Sequence, residues 1–228
     1  MLPFARVDNS HFPLMQGASR NLGAIDASPI VRALGRVGYE PTWRAMQSFT
    51  AGRTPLTTDE IWLVQHPPVY TLGVAGRSEH LPRGSNDLPV VRTDRGGQIT
   101  YHGPGQVIAY ALLDMKRRAL AVRELVRRLE TAVIDLLDEY GIFAARRKDA
   151  PGVYVGQAKI AALGLHITRA CSYHGLALNV DMDLSPFHAI DPCGYPGLSV
   201  TQLRDLGVMD DPDAVAGKLA RQLLKALS

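Results

Sequence analysis

Val153-Tyr154-Val155-Gly156-Gln157-Ala158-Lys159-Ile160 reads as two short strands around a two-residue turn. Glycine first in the turn is what a type II′ connection requires, because that position needs a positive φ. Strands joined this tightly run antiparallel. Ala161 to Ile167 and Leu176 to Val180 read as further strands. Upstream, Ile61–Val64 and Val69–Leu72 are split by His66-Pro67-Pro68. Pro89–Thr93 and Gln98–Tyr101 flank a Gly96-Gly97 turn, and Gln106–Leu113 is a longer strand. Helical spacing is rarer. Tyr39–Thr50 sets Trp43, Met46 and Gln47 on one face. Leu120–Tyr140 carries the stripe Val122, Leu125, Val126, Leu129, Val133, Leu136, Leu137 and Tyr140, with Gly141 where a C-terminal cap belongs. Asp211-Pro212 opens a last helix along Val215, Leu219, Leu223 and Leu227. Ser199–Gln202 has capping-box spacing for a short helix ending near Gly207. Many strands and few helices, without strict alternation, predict an α+β fold: a mixed or antiparallel sheet flanked by helices.

The chain has 228 residues, 46% apolar and 21% charged, which excludes a disordered, collagen-like or coiled-coil protein. Residues 28–228 read as one domain. Residues 1–27 show no period and read as a loose extension. The longest aliphatic run, Val107–Leu113, is too short to span a bilayer, and Met1–Arg6 lacks a signal-type apolar run. Two cysteines without framework spacing fit a reducing compartment, so the expected location is cytoplasmic. A net charge of +3 is too small for a dedicated nucleic-acid binder. Lys116-Arg117-Arg118, Arg127-Arg128 and Arg146-Arg147-Lys148 are either solvated faces or a docking patch for an acidic partner. A monomer is the default expectation.

Three places hold unusual chemistry. Arg95-Gly96-Gly97-Gln98-Ile99-Thr100-Tyr101-His102-Gly103-Pro104-Gly105-Gln106 brackets polar side chains with glycines, either as ordinary turns or as a ligand loop. Neither a P-loop nor a dinucleotide fingerprint occurs anywhere. Lys159 lies in a strand beside Ala158, Ile160, Ala161 and Ala162. On an exposed face it would snorkel to water, whereas partial burial would make its amine a base or a thiolate partner. Cys193 lies in Asp191-Pro192-Cys193-Gly194-Tyr195-Pro196-Gly197, a rigid loop where a cysteine is more often reactive than structural. Cys171 reads as a small core residue. His166, Cys171 and His174 form only a weak metal pattern with no fourth ligand. A thiol and a lysine together suggest acyl transfer through a thioester, the lysine stabilising the thiolate and moving protons.

The Arg95–Gln106 segment, Ala150-Pro151-Gly152-Val153-Tyr154, Gly156–Ile160, Tyr173-His174-Gly175-Leu176-Ala177-Leu178-Asn179 and Asp191–Gly194 resemble, in order and spacing, the lipoyl(octanoyl) transferases. The similarity runs from about Ile30 to Leu206. The resemblance implies a fold like that of biotin protein ligases and lipoate ligases. It also implies transfer of octanoyl from octanoyl-acyl carrier protein to a lysine ε-amine. The acceptors it implies are lipoyl domains of 2-oxoacid dehydrogenase subunits and the glycine cleavage H protein. It makes Cys193 the acyl-thioester nucleophile and Lys159 the residue that lowers its pKa. Arg95, Gly96, Gly97, Gln98, Ile99, Thr100, Tyr101 and His102 would line the acyl pocket with Ala162-Leu163-Gly164 and Gly175-Leu176-Ala177. No cofactor is implied, since a thioester donor is already activated. Three other readings compete: an ATP-dependent ligase on the same fold, a cysteine hydrolase pairing Cys193 with His102, His174 or His188, and a module that only binds lipoyl domains.

Overall fold

The computed structural model describes residues 28–83, 87–148, 150–191 and 198–228. The expected extension at 1–27 lies outside them. Strands β1 (Ile30–Arg36), β2 (Glu60–Gln65), β6 (Gln106–Leu112), β7 (Ala145–Arg147), β8 (Ala150–Val155), β9 (Ala158–Thr168) and β10 (Cys171–Asn179) build a seven-stranded sheet. Its order is β1-β2-β6-β10-β9-β8-β7. Among the described residues of this sheet β1 and β2 pair in parallel, and its other ladders are antiparallel. A second sheet, β4-β3-β5, is built from β3 (Val69–Leu72), β4 (Val90–Arg92) and β5 (Ile99–His102).

Helices explain which strands are apolar on both faces. Helices α2 (Val122–Glu139) and α3 (Pro212–Leu227) lay Leu125, Leu129, Val133, Leu136, Val215, Leu219 and Leu223 against one face of the large sheet. Helix α1 (Tyr39–Ala51) covers the other face through Met46, which meets Trp62, Ile108 and Tyr110. Strand β6 lies between the two layers and is buried along its whole length, hence its continuous apolar run.

Several readings of the sequence need correction. Ala158–Ile160 and Ala161–Ile167 belong to one eleven-residue strand, because the β8 ladder over Ala158–Ala161 and the β10 ladder over Ala161–Thr168 overlap at Ala161. The strands on either side of Gly96-Gly97 do not pair with each other, since β3 lies between them. Ser199–Gln202 is extended rather than helical: Val200 bridges Lys159 in parallel. A 3-10 turn at Arg204–Leu206 then ends at Gly207 with φ +87°. Val122 is exposed and outside the α2 stripe. Strand β1 carried no usable period, being an edge strand with mostly exposed side chains and a bulge at Gly35.

A buried charge knot fixes the lower end of the sheet. Asp59, 1% exposed, accepts bonds from Arg117 Nη2 at 2.6 Å, Arg118 Nε at 2.5 Å and Arg53 Nη2. It also accepts from the Asp114 N–H at 2.8 Å. Burial alone would raise its pKa; the Arg118 bond, the Asp114 amide and the Arg118 and Arg117 charges outweigh it and hold the carboxyl below its usual range. Its stabilising contribution is therefore full above about pH 4 and lost as pH falls through the lower folded value. Asp59→Asn leaves arginines without their carboxylate and is expected to cost about 3–5 kcal/mol in urea unfolding at neutral pH. A loss under about 1 kcal/mol would show that the knot is not a stabilising element. Among the described residues, no helix is long and apolar enough to cross a membrane.

Candidate active site

Lys159 is the second residue of β9 and is 3% exposed. An ammonium buried to this degree is costly unless polar groups meet it. Its Nζ donates to the Pro151 carbonyl at 3.2 Å and lies 5.3 Å from the centre of the Tyr154 ring. Gly152 makes this bed possible. Its φ is +140°, and a Cβ there would stand 2.7 Å from the Ala161 carbonyl and 3.1 Å from Lys159 Cε. The Gly152 N–H is tied to Glu130 of α2 at 2.9 Å. The Lys159 main chain is fixed as well: its N–H donates to Ser199 O at 2.8 Å and its carbonyl accepts from Thr201 N–H at 3.0 Å. Cys193 lies outside the described residues, and the described chain resumes at Leu198.

From Lys159 a cavity of about 740 Å³, counting its open side, runs along β9 and β10. Cross-strand neighbours Ala162↔Ala177 and Gly164↔Gly175 share one face of the sheet, two residues apart on each strand. These small residues leave a trough. Ile99, Phe187 and Val200 contribute to its wall. The five steps from Lys159 to Gly164 span about 17 Å. At the Gly164 end the chain must approach closely. A Cβ on Gly164 would lie 2.9 Å from Gly96 O, and the Gly96 N–H donates to Leu165 O at 2.8 Å. The loop at Arg95-Gly96 is thus docked against that end of the trough.

Of the residues singled out from the sequence, Lys159, Arg95, Gly97, Gln98, Ile99, Thr100, His102, Ala162, Leu163, Gly164, Gly175, Leu176 and Ala177 line this one cavity. Gly96 and Tyr101 do not. Gly96 is the docking point just described, and Tyr101 packs on Tyr70 and Phe187. Arg95 lines the cavity, but its guanidinium is committed to β3 and to its own loop: Nε donates to Thr71 Oγ1 at 3.0 Å and Nη2 to Gln98 O at 2.8 Å.

Behind the cavity runs a directional chain of buried polar groups. Thr71 Oγ1 accepts from Arg95 and donates to His102 Nε2 at 3.3 Å. His102 Nδ1–H donates to Gln106 Oε1 at 2.7 Å, Gln106 Nε2 to Asn179 Oδ1 at 2.9 Å, and Asn179 Nδ2 to Thr201 O at 3.0 Å. The chain ends on the segment that pairs with the Lys159 backbone. His66 joins from the side. Its Nδ1–H donates to Val37 O at 2.6 Å, which leaves Nε2 to accept from Tyr110 OH at 2.7 Å. Burial lowers the pKa of His66 to about 4. Burial, with the neighbouring His66 ring acting in the same direction, lowers that of His102 to about 3. Both rings are neutral in the fold, whereas the unfolded chain protonates below about 6.5. Stability must therefore fall as pH drops from about 6.5 toward these folded values. Between pH 7.5 and 5 the expected loss is about 2 kcal/mol per histidine. A urea midpoint that stays flat over that range would contradict the assignment.

Asp94 organises the far side. It accepts from Trp43 Nε1 and His174 Nε2, both at 2.8 Å, from Gln47 at 3.1 Å, and from the Tyr173 hydroxyl. Burial opposes its ionisation, but the bonds from His174 and Tyr173 win and keep it a carboxylate. His166 Nδ1 donates to the Asp94 main-chain carbonyl. Cys171 lies instead among the charges of Arg53, Asp59 and Asp114, so the two histidines and this thiol are not gathered on one point. Sequence reading missed Tyr39, Tyr110 and Phe187 on the cavity wall, and it quoted Gln106 and Asn179 as the last residues of two motifs without placing them in the pocket. For Gln106 and Asn179 a signal existed, since each is a lone amide at the end of an apolar strand.

Residues 39–225 match the lipoyl protein ligase A/B catalytic domain model. An octanoyltransferase from Azoarcus sp. (strain BH72) is 58% identical over 214 residues, covering 94% of each chain. One from Thiobacillus denitrificans is 66% identical over 183 residues, covering 80% of this chain and 84% of its own. Among solved structures, a lipoate protein ligase from T. acidophilum with bound lipoic acid superposes with a TM-score of 0.72 at 16% identity, over 88% of this chain and 86% of that one. A biotin protein ligase from Aquifex aeolicus in complex with biotin and ATP does so with a TM-score of 0.55 at 15% identity, over 87% and 70%. The fold expected from the motifs is therefore the fold observed. The chain belongs to the lipoyl protein ligase A/B catalytic family and, within it, to the octanoyltransferases, acyltransferases of protein lipoylation.

Proposed function

We propose that this protein takes octanoyl from octanoyl-acyl carrier protein onto Cys193 as a thioester. It then passes the group to the ε-amine of a specific lysine on lipoyl domains, those of 2-oxoacid dehydrogenase subunits and the glycine cleavage H protein. The observation that carries the reading is the buried Lys159 ammonium at one end of a trough paved by Ala162, Gly164, Gly175 and Ala177. Cys193 precedes Ser199 by six positions, and Ser199 is bonded to the Lys159 main chain.

In the first step the Cys193 thiolate, stabilised by the Lys159 ammonium, attacks the thioester carbonyl carbon. A new C–S bond forms, the carrier C–S bond breaks, and the carrier sulfur leaves with a proton from Lys159. In the second step the acceptor amine attacks, Lys159 takes its proton, and the amide forms as the Cys193 thiolate departs. One thioester replaces another at little cost, and amide formation runs downhill, so no ATP is required.

The test is octanoyl-acyl carrier protein plus a lipoyl domain in ATP-free buffer. One octanoyl is expected on one lysine of the domain; transfer only with ATP and free octanoate would favour the ligase reading. The trough makes a further prediction. Ala162→Leu puts a bulky side chain where the acyl chain lies, and should slow octanoyl loading by at least about tenfold. Loading of a butyryl thioester should be little changed. Equal loss for both lengths would remove Ala162 from the acyl path.

A further inference from the structure

Three basic clusters stand in the sequence, and the fold sets one apart from the other two. In Lys116-Arg117-Arg118 both arginines are bound to the buried Asp59. The other two clusters meet at one corner. Arg146 on β7 donates through Nη2 to the Arg127 carbonyl of α2 at 3.2 Å, and its Nε lies 3.2 Å from Glu130. Arg123 is one helical turn before Arg127 and lies on the same stripe. Arg128 is taken up by Glu124 and by carbonyls of Ala226 and Ser228. Arg123, Arg127 and Lys148 are exposed, and none has an acidic partner among the described residues. Beside them Phe143 is 88% exposed, and among the described residues β7 pairs only with β8.

This corner adjoins the reaction centre. The Arg147 guanidinium lies 4.2 Å over the Tyr154 ring, the ring that Lys159 Nζ also faces at 5.3 Å. Arg147 spends its Nη2 on Gln157 Oε1 and Gly156 O, neither of them acidic.

We propose that this strip, from Arg123 and Arg127 through Arg146 to Arg147 and Lys148, docks the acidic carrier protein that delivers the acyl thioester. The inference rests on the function proposed above. The donor brings acidic side chains and a phosphodiester on the arm that holds its thioester, both attracted to the strip. Exposed Phe143 supplies the apolar contact that such a docking face needs.

The test is the triple variant Arg123→Ala, Arg127→Ala, Lys148→Ala, with three rates measured separately. These are loading from octanoyl-acyl carrier protein, loading from octanoyl-N-acetylcysteamine, and discharge of preloaded enzyme to a lipoyl domain. Loading from the carrier at low salt should fall about tenfold or more and lose most of its salt dependence. The other two rates should stay within about twofold of the parent. Unchanged loading from the carrier overturns the docking assignment, as does an equal loss with the carrier-free donor. A loss confined to discharge would assign the strip to the acceptor instead and overturn it too. If the parent protein loads from neither donor, the functional reading falls and takes this inference with it. If the parent loads from both and the variant matches it, only the inference falls.

Discussion

Cys193→Ser is expected to lower octanoyl transfer to the lipoyl-domain lysine by about 10³-fold or more, the scale on which loss of a covalent nucleophile is felt. A serine hydroxyl at neutral pH is a poor nucleophile, and its oxygen ester would not exchange readily with a carrier thiol. The substitution exchanges one side-chain atom in a proline- and glycine-rich segment. The thermal midpoint and the far-ultraviolet spectrum should therefore match the parent protein. Turnover within about twofold of the parent would remove Cys193 from the mechanism and return attention to direct transfer.

Lys159→Ala should be nearly as damaging, with loading slowed by about 10²–10⁴-fold, the span of a general acid–base residue. The rate alone would not separate a catalytic from a structural loss, because Lys159 is buried beside Pro151 and Tyr154. The pH profile would. If Lys159 stabilises the Cys193 thiolate, alkylation by iodoacetamide should titrate below the ordinary thiol value of about 8.5 in the parent and near or above it in the variant. Lys159→Arg should restore part of the shift, since the charge returns without the transferable proton. Parallel profiles in parent and variant would mean that Lys159 does not act on the thiol.

Much of the large sheet was readable because its strands obey simple rules. The Gly156-Gln157 hairpin forms as its turn chemistry requires, with Gly156 at φ +55°. The α3 stripe from Val215 to Leu227 is buried as its period demands. What failed depends on partners distant in the chain. Ser199–Gln202 has the local signature of a helix start, yet two main-chain bonds to Lys159 hold it extended. Strand β1 shows no alternation because most of its side chains face water, and it is defined by its ladder with β2. The site divides the same way. Lys159 stood out as a cation in an apolar strand, and the Ala162–Gly164 and Gly175–Ala177 walls followed from the resemblance. Glu130, whose carboxylate holds the Gly152 amide under Lys159, lies in the middle of an amphipathic helix and carries no local signal. The clusters at 127–128 and 146–148 gave no hint that they share a corner, because an 18-residue separation says nothing of contact.

The central claim is that acyl transfer passes through a thioester on Cys193. The most direct measurement is intact-protein mass spectrometry after mixing the protein with octanoyl-acyl carrier protein, without ATP and without an acceptor. The account predicts a gain of one octanoyl group that hydroxylamine removes and that Cys193→Ser does not show. No gain with the carrier still loaded would contradict it and point to an ATP-dependent ligase, and no gain with the carrier emptied would contradict it and point to a hydrolase.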